Sequence, residues 1–202
     1  MLTLHYAPKT VSVAIAIALE EAGLAYEAVT VDFASGAQAK PAYLSVNPKG
    51  CVPALVTGAG TLTETGAILD FISVTSGQMM PDTPFIAAQM REVMYYLAST
   101  MHINHAHKMR GHRWADQQTS FDDMTAKVPQ TMATSCAYLE EKLALDPFVS
   151  AKLSIADPYL FIVLNWAPGD GVDLANYPKL SAFHAMMLAR PSVQAVIAKG
   201  ML

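Results

Sequence analysis

Asn47-Pro48-Lys49-Gly50-Cys51-Val52-Pro53-Ala54-Leu55-Val56, followed closely by Leu62-Thr63-Glu64-Thr65-Gly66-Ala67-Ile68, is the stretch on which the fold turns. Its first half is a turn running into an apolar strand. Its second half is a short strand running into a helix, with a carboxylate and a hydroxyl at the joint. Proline at the head of Ala54-Leu55-Val56 removes a ladder donor. Only an X-Pro bond adopts cis cheaply, and a cis bond here turns the Val52 backbone outward, where its N–H and C=O can pair with a peptide-like ligand. Thr65 opens a helix whose unpaired N–H groups favour an anion.

Outward from this stretch, a Gly58-Ala59-Gly60 turn between β-like runs predicts a hairpin. Upstream, Leu2–Tyr6 alternates as a strand. Val13–Ala22 reads as a helix with Ser12 as its N-cap and Gly23 as its stop. Tyr26–Asp32 is rich in strand formers. The opening is thus strand-helix-strand, followed by an irregular, partly helical 33–45. Thr65–Thr75 reads as a helix ending near Gly77. Residues 77–84, GQMMPDTP, have linker composition.

Beyond residue 84 no strand pattern appears. Helices are predicted over 85–112, over 119–145 with Pro129 bending or interrupting it, over 154–166, over 178–190 and from Pro191 on. Ser154-Ile155-Ala156-Asp157 has the pattern of a capping box with Asp in the last position. The expected fold class is therefore α/β followed by all-α: a mixed domain over 1–76, a linker over 77–84 and a helical domain over 85–202.

Composition narrows the function. Of 202 residues, 52% are hydrophobic and 15% charged, which excludes a disordered chain. A net charge of −4 without a basic run argues against a nucleic-acid binder. Cys51 and Cys136 are far apart and form no C-x-x-C, which fits a reducing compartment. No apolar run is long enough to span a bilayer, and the N-terminus lacks the order of a signal peptide. These readings predict a soluble cytoplasmic protein that binds neither nucleic acid nor membrane.

Four motifs, in order and spread over nearly the whole chain, carry a resemblance to the cytosolic glutathione transferases. They are the segment around Pro53, Leu62-Thr63-Glu64-Thr65-Gly66-Ala67-Ile68, Ser154-Ile155-Ala156-Asp157-Pro158-Tyr159-Leu160-Phe161, and Ala189-Arg190-Pro191-Ser192-Val193. Leu4-His5-Tyr6-Ala7-Pro8 and the A-D-P-Y-L-F run make the bacterial beta class the nearest. The resemblance implies a thioredoxin-like N-terminal domain that binds glutathione. It also implies a helical domain shaping a second-substrate pocket, a homodimer and a role in detoxification. Glutathione would be a co-substrate, no permanently bound cofactor or metal is expected, and the partner substrate would be a small hydrophobic electrophile.

By position, Val52 beside Pro53 would pair with the cysteinyl part of glutathione, in a strand-addition mode. Glu64 would face the γ-glutamyl ammonium and Thr65 its carboxylate. Cys51 adjoins this edge and reads either as a thiol able to exchange with glutathione or as a small apolar side chain. The resemblance puts His102 in the second-substrate pocket, with Ser99 one turn earlier as a glutathione contact and Tyr95 as pocket wall. His102 and His105 have an i,i+3 metal-ligand spacing, but no partnering carboxylate is evident from sequence.

The departure from the beta class lies at the thiol. Its loop reads Y-x-P-G-A-C-S, and here Tyr6-Ala7-Pro8-Lys9-Thr10-Val11-Ser12 puts Val11 in the cysteine's place. The remaining candidates for a thiolate contact are hydroxyls: Ser12 first, which reads equally as a helix cap, with Thr10 or Tyr6 as alternatives. A thiol titrates near 8.5, and a helix N-terminus with one donor lowers that by about one unit, ~1.4 kcal/mol. Without such a donor, the alternative function is a non-catalytic protein of the same fold that binds glutathione or hydrophobic ligands.

Overall fold

The computed structural model describes residues 1–143, 149–150 and 152–202. They form two compact units. One comprises Met1–Met80 with Met187–Leu202, and the other comprises Pro81–Met186.

The first unit is built on a four-stranded mixed sheet in the order β2-β1-β3-β4. Strand β1 (Leu2–Tyr6) pairs in parallel with β2 (Tyr26–Thr30), and the crossover is helix α1 (Ser12–Glu21). Strand β3 (Ala54–Thr57) runs antiparallel to β1 and returns through the two-residue turn Gly58-Ala59 into β4 (Gly60–Thr63). Helix α3 (Thr65–Ser76) follows directly, and the intervening stretch holds only a 3₁₀ turn and the short α2 (Pro41–Leu44). Residues 13–19 of α1 are wholly buried, as expected for a helix that is apolar all round.

Strand β2 ends at Thr30 rather than Asp32, and the Val31 N–H caps the ladder on the Tyr6 carbonyl at 2.7 Å. Ser12 is not the N-cap of α1. It is the first helical residue, Val11 holds the cap position, and no side chain caps the end. The Ser12 hydroxyl is instead held by the Ala7 backbone, a longer-range partner that local sequence does not show.

The final helix α9 (Pro191–Ala198) packs on α1, which is why the end of the chain groups with the first unit rather than with the helical residues before it. Two of the Arg190 guanidinium nitrogens hold the two Glu21 carboxylate oxygens at 2.6 and 2.8 Å, and Ser192 donates to the same carboxylate. Burial pushes the Glu21 carboxyl up, but these donors outweigh it and hold the group below its ordinary range.

The second unit is helical among its described residues. The predicted helix over 85–112 is α4 (Pro84–Tyr96), a π turn over Leu97–Met101, and α5 (His102–Arg110). Met90, Val93, Met94, Leu97 and Met101 form its buried stripe, so these methionines are core. Helix α6 (Gln118–Lys142) runs through Pro129 without interruption. The Pro129 ring packs against Gly171, whose φ of +81° and a Cβ that would lie 3.3 Å from that ring both favour glycine. The predicted end of this helix at Leu145 lies outside the described residues.

Helix α7 (Ala156–Trp166) is the buried axis of the unit. The fully buried Asp157 carboxylate accepts from Ser154 N–H at 2.6 Å, Ser154 Oγ at 2.7 Å and Val149 N–H at 2.9 Å. The capping box is therefore one-sided: Asp157 reaches back, and the Ser154 hydroxyl spends its proton on that carboxylate instead of capping a backbone N–H. Helix α8 (Pro178–Leu188) follows. No helix among the described residues is long and apolar enough to cross a membrane.

Candidate glutathione site

Hairpin register brings the sequence-predicted residues of the first unit together. His5 lies opposite Ala54, and Ala54 opposite Thr63. One step further along the register, Tyr6, Pro53 and Glu64 stand at the same end of the sheet, followed by Ala7, Val52 and Thr65. Three segments distant in sequence therefore converge at one sheet end.

The Val52-Pro53 bond is cis. Among the described residues, neither the N–H nor the C=O of Val52 is used in a backbone hydrogen bond. The turn before it is rigidly built. Buried Asn47 donates from Nδ2 to the Cys51 carbonyl at 2.6 Å and accepts at Oδ1 from the Lys49 N–H at 3.2 Å. Tyr43 Oη donates to the same Cys51 carbonyl at 2.6 Å. Gly50 has a φ of +61°, and a Cβ there would meet the Gln38 carbonyl at 3.1 Å. The Cys51 thiol is half-buried and lies 3.4 Å from the Lys49 carbonyl.

Glu64 adopts φ +72° and ψ +122°, a positive-φ conformation outside the left-handed helical well that costs a non-glycine residue about 1–3 kcal/mol. Its side chain is 73% exposed and pairs with Lys49 Nζ, which also donates to Thr63 Oγ1 at 2.8 Å. Thr65 is buried as the first residue of α3, and the first in-helix bond there runs from the Ile68 N–H to the Glu64 carbonyl. The N–H groups of Thr65, Gly66 and Ala67 thus lie beyond the helix's own ladder, as at any helix start. Lys49 is a residue the sequence reading missed. Its signal was the hairpin register, which brings the end of β4 alongside the turn before Pro53.

The thiol loop separates the three hydroxyls. Ser12 is fully buried: its Oγ accepts from the Ala7 N–H at 3.0 Å and lies 3.2 Å from the Ala7 carbonyl. Tyr6 is also buried and its Oη accepts from Thr30 Oγ1 at 3.1 Å. Thr10 is half-buried, 2.8 Å from the Ala7 carbonyl and 2.6 Å from Ser12 Oγ. Two hydroxyl hydrogens share that carbonyl. When Ser12 donates to it, the Thr10 hydrogen is available for another acceptor. Val11 is buried.

The remaining predicted residues belong to the second unit. Ser99 lies exposed in the π turn, its hydroxyl 3.4 Å from that of Thr100. Such turns recur at functional sites. Tyr95 on α4 is 67% exposed. His102 opens α5 with Nδ1 3.2 Å from Tyr159 Oη and its ring 4.9 Å from that of Trp166. His105 stacks on Trp166 at 4.3 Å and bonds buried Asp170 at 2.6 Å, a carboxylate partner that sequence did not reveal because it lies on a later turn. Among the described residues no group of three or more His, Cys, Asp or Glu side chains is arranged to hold a metal. Cys136 is buried, and burial pushes its thiol up to about 12, so it stays protonated.

Burial, reinforced by His105, Arg110 and Arg113, lowers the His102 pKa to about 4. The imidazole is therefore neutral at pH 7. The folded state rejects a proton that the unfolded chain accepts near 6.5, so stability is intact above that pH and lost as pH falls toward 4. Denaturant titrations at pH 7 and pH 5 are expected to show wild type losing about 2 kcal/mol more than His102→Phe. Equal losses in the two proteins would contradict a buried neutral His102.

The family model for the glutathione S-transferase N-terminal domain matches residues 2–74, and that for the C-terminal domain matches 104–200. Glutathione S-transferase GstA of Escherichia coli O157:H7 is 31% identical over 205 residues, covering 98% of each chain. A glutathione transferase homolog from Sulfitobacter, crystallised with bound glutathione, superposes with a TM-score of 0.97 at 56% identity, over 100% of this chain and 99% of that one. A bacterial beta class glutathione S-transferase from Sphingomonas chungbukensis superposes at 0.83 with 29% identity, over 99% and 100%.

Proposed function

Because this chain belongs to the glutathione S-transferase family, we propose that it binds glutathione at the end of its sheet and promotes attack of the thiolate on a small hydrophobic electrophile. The observation that carries this reading is the convergence of the Val52 backbone, Glu64 and the start of α3 at one sheet end. Val52 takes the cysteinyl backbone by strand addition, beside Pro53 and Cys51. Thr65 and the free N–H groups of α3 take the γ-glutamyl carboxylate, and Glu64 takes the ammonium. This binding mode needs no permanently bound cofactor.

Thr10 is the hydroxyl assigned to the sulfur. Ser12 and Tyr6 are both buried, and Ser12 supports Thr10 from beneath, whereas Thr10 is only half-buried. Val11 excludes mixed-disulfide chemistry at its own position, so the work of the loop is to favour the thiolate by hydrogen bonding. Ser99 is assigned as a further glutathione contact, and His102 and Tyr95 to the second-substrate pocket. His102 serves there as a neutral hydrogen-bonding ring rather than a cation, in keeping with its low pKa.

The same reading has the protein act as a homodimer in the cytoplasm, in detoxification. The unbridged thiols Cys51 and Cys136 fit a reducing compartment.

The test is conjugation of glutathione to a panel of aryl halides and epoxides. Turnover is expected, and Thr10→Val is expected to raise the bound thiol's pKa by about one unit and slow turnover near pH 7 roughly 10-fold. Saturable glutathione binding without turnover on any electrophile would instead establish the non-catalytic binding protein, which the loss of the beta-class cysteine at Val11 favours.

A further inference from the structure

The Lys49–Glu64 pair spans the two halves of the candidate site. Lys49 belongs to the turn before Val52, the peptide edge, whereas Glu64 belongs to the joint between β4 and α3, the amino-acid end. As a stabilising element the pair is weak. Both side chains are substantially exposed, at 47% and 73%, and solvent screens such a pair. Yet much surrounding structure fixes its geometry. Asn47 holds the Lys49 backbone, Thr63 Oγ1 accepts from the Lys49 ammonium, and Glu64 is held at the strained φ of +72° with ψ of +122°. Backbone of that kind at an exposed position points to a functional demand.

We propose that Lys49 is a positioning and specificity residue: it pins the Glu64 carboxylate through one oxygen so that the other meets the ammonium of a zwitterionic α-amino-acid end. The inference rests on the reading of this site as a glutathione site. Lys49 bonds Oε1 and leaves Oε2 for the ligand. With the ligand seated, charges alternate along the row: Lys49 cation, Glu64 anion, ligand ammonium, ligand carboxylate, and the positive start of α3. The ligand's own carboxylate offsets the presence of two cations around Glu64. Without Lys49, Glu64 samples its rotamers in solvent and must be ordered by the ligand, at a cost in side-chain entropy that weakens binding.

The test compares dissociation constants for glutathione and for glutaryl-cysteinyl-glycine, which lacks only the α-ammonium, measured calorimetrically on the full chain. Wild type is expected to prefer glutathione. Lys49→Met is expected to reduce that preference roughly 3- to 10-fold, and Lys49→Arg to retain most of it. Glu64→Gln is expected to abolish the preference, and adding Lys49→Met to it to change the preference no further. Parallel weakening of both ligands in Lys49→Met, with the preference intact, would mean that Lys49 only shapes the turn and would overturn the inference while glutathione binding stands. Wild-type binding without preference would overturn it too. No wild-type binding of either peptide would remove the glutathione reading as well.

Discussion

Asp157→Ala is expected to destabilise the helical unit by about 3–5 kcal/mol, the largest loss of stability among the substitutions proposed. The carboxylate is fully buried and, among the described residues, accepts from at least three donors: the backbone N–H groups of Val149 and Ser154 and the Ser154 hydroxyl. Removing it strands all three in a dry interior, where each unsatisfied donor costs about 1–3 kcal/mol. It also frees the entrance to α7, the helix around which the unit is built. Ser154→Ala removes only one of the three bonds and should cost about 1 kcal/mol. Urea denaturation followed by circular dichroism gives the comparison. Equal and small losses in the two variants would show that Asp157 caps the helix without anchoring it.

The second large effect is on binding. Thr65→Val is expected to weaken glutathione binding roughly 10- to 100-fold, because a hydroxyl bonded to a charged group contributes about 1.5–3 kcal/mol. Valine keeps the branched shape at the buried start of α3, so the helix and its N–H groups stay in place. Affinity should fall while the melting temperature of the free protein moves little. A change under about twofold in the dissociation constant would take Thr65 out of the carboxylate site.

The order of elements was legible from local pattern. Alternation gave β1, the glycine turn gave the β3-β4 hairpin, and the residues flanking Pro53 marked the edge. The hairpin also carried more than was read from it. Counting outward from Gly58-Ala59 sets Glu64 level with Pro53, and so leads to Lys49. What escaped the reading depends on partners far away in sequence. Ser12 reads as a helix cap by type and position, but the Ala7 backbone claims its hydroxyl from across the loop. His105 finds Asp170 on the turn after α7. Arg190 finds Glu21 only because α9 packs on α1. The π turn before His102 has no signature in composition, since its residues would suit an α-helix equally well.

Position therefore speaks more clearly for binding than for chemistry. The Val52 edge and the start of α3 are backbone features, fixed by fold. The proposed thiolate contact rests instead on which of two hydroxyl hydrogens, on Thr10 or on Ser12, takes the Ala7 carbonyl.

Titration of the full chain with reduced glutathione, followed by heat, bears most directly on the glutathione site. The geometry predicts one saturable site per chain with a dissociation constant of about 1 mM or tighter. It also predicts a rise in melting temperature that grows with ligand concentration, corresponding to about 1.4 kcal/mol at ten times that constant. Absence of saturation at tenfold higher glutathione, with an unmoved melting temperature, would contradict it.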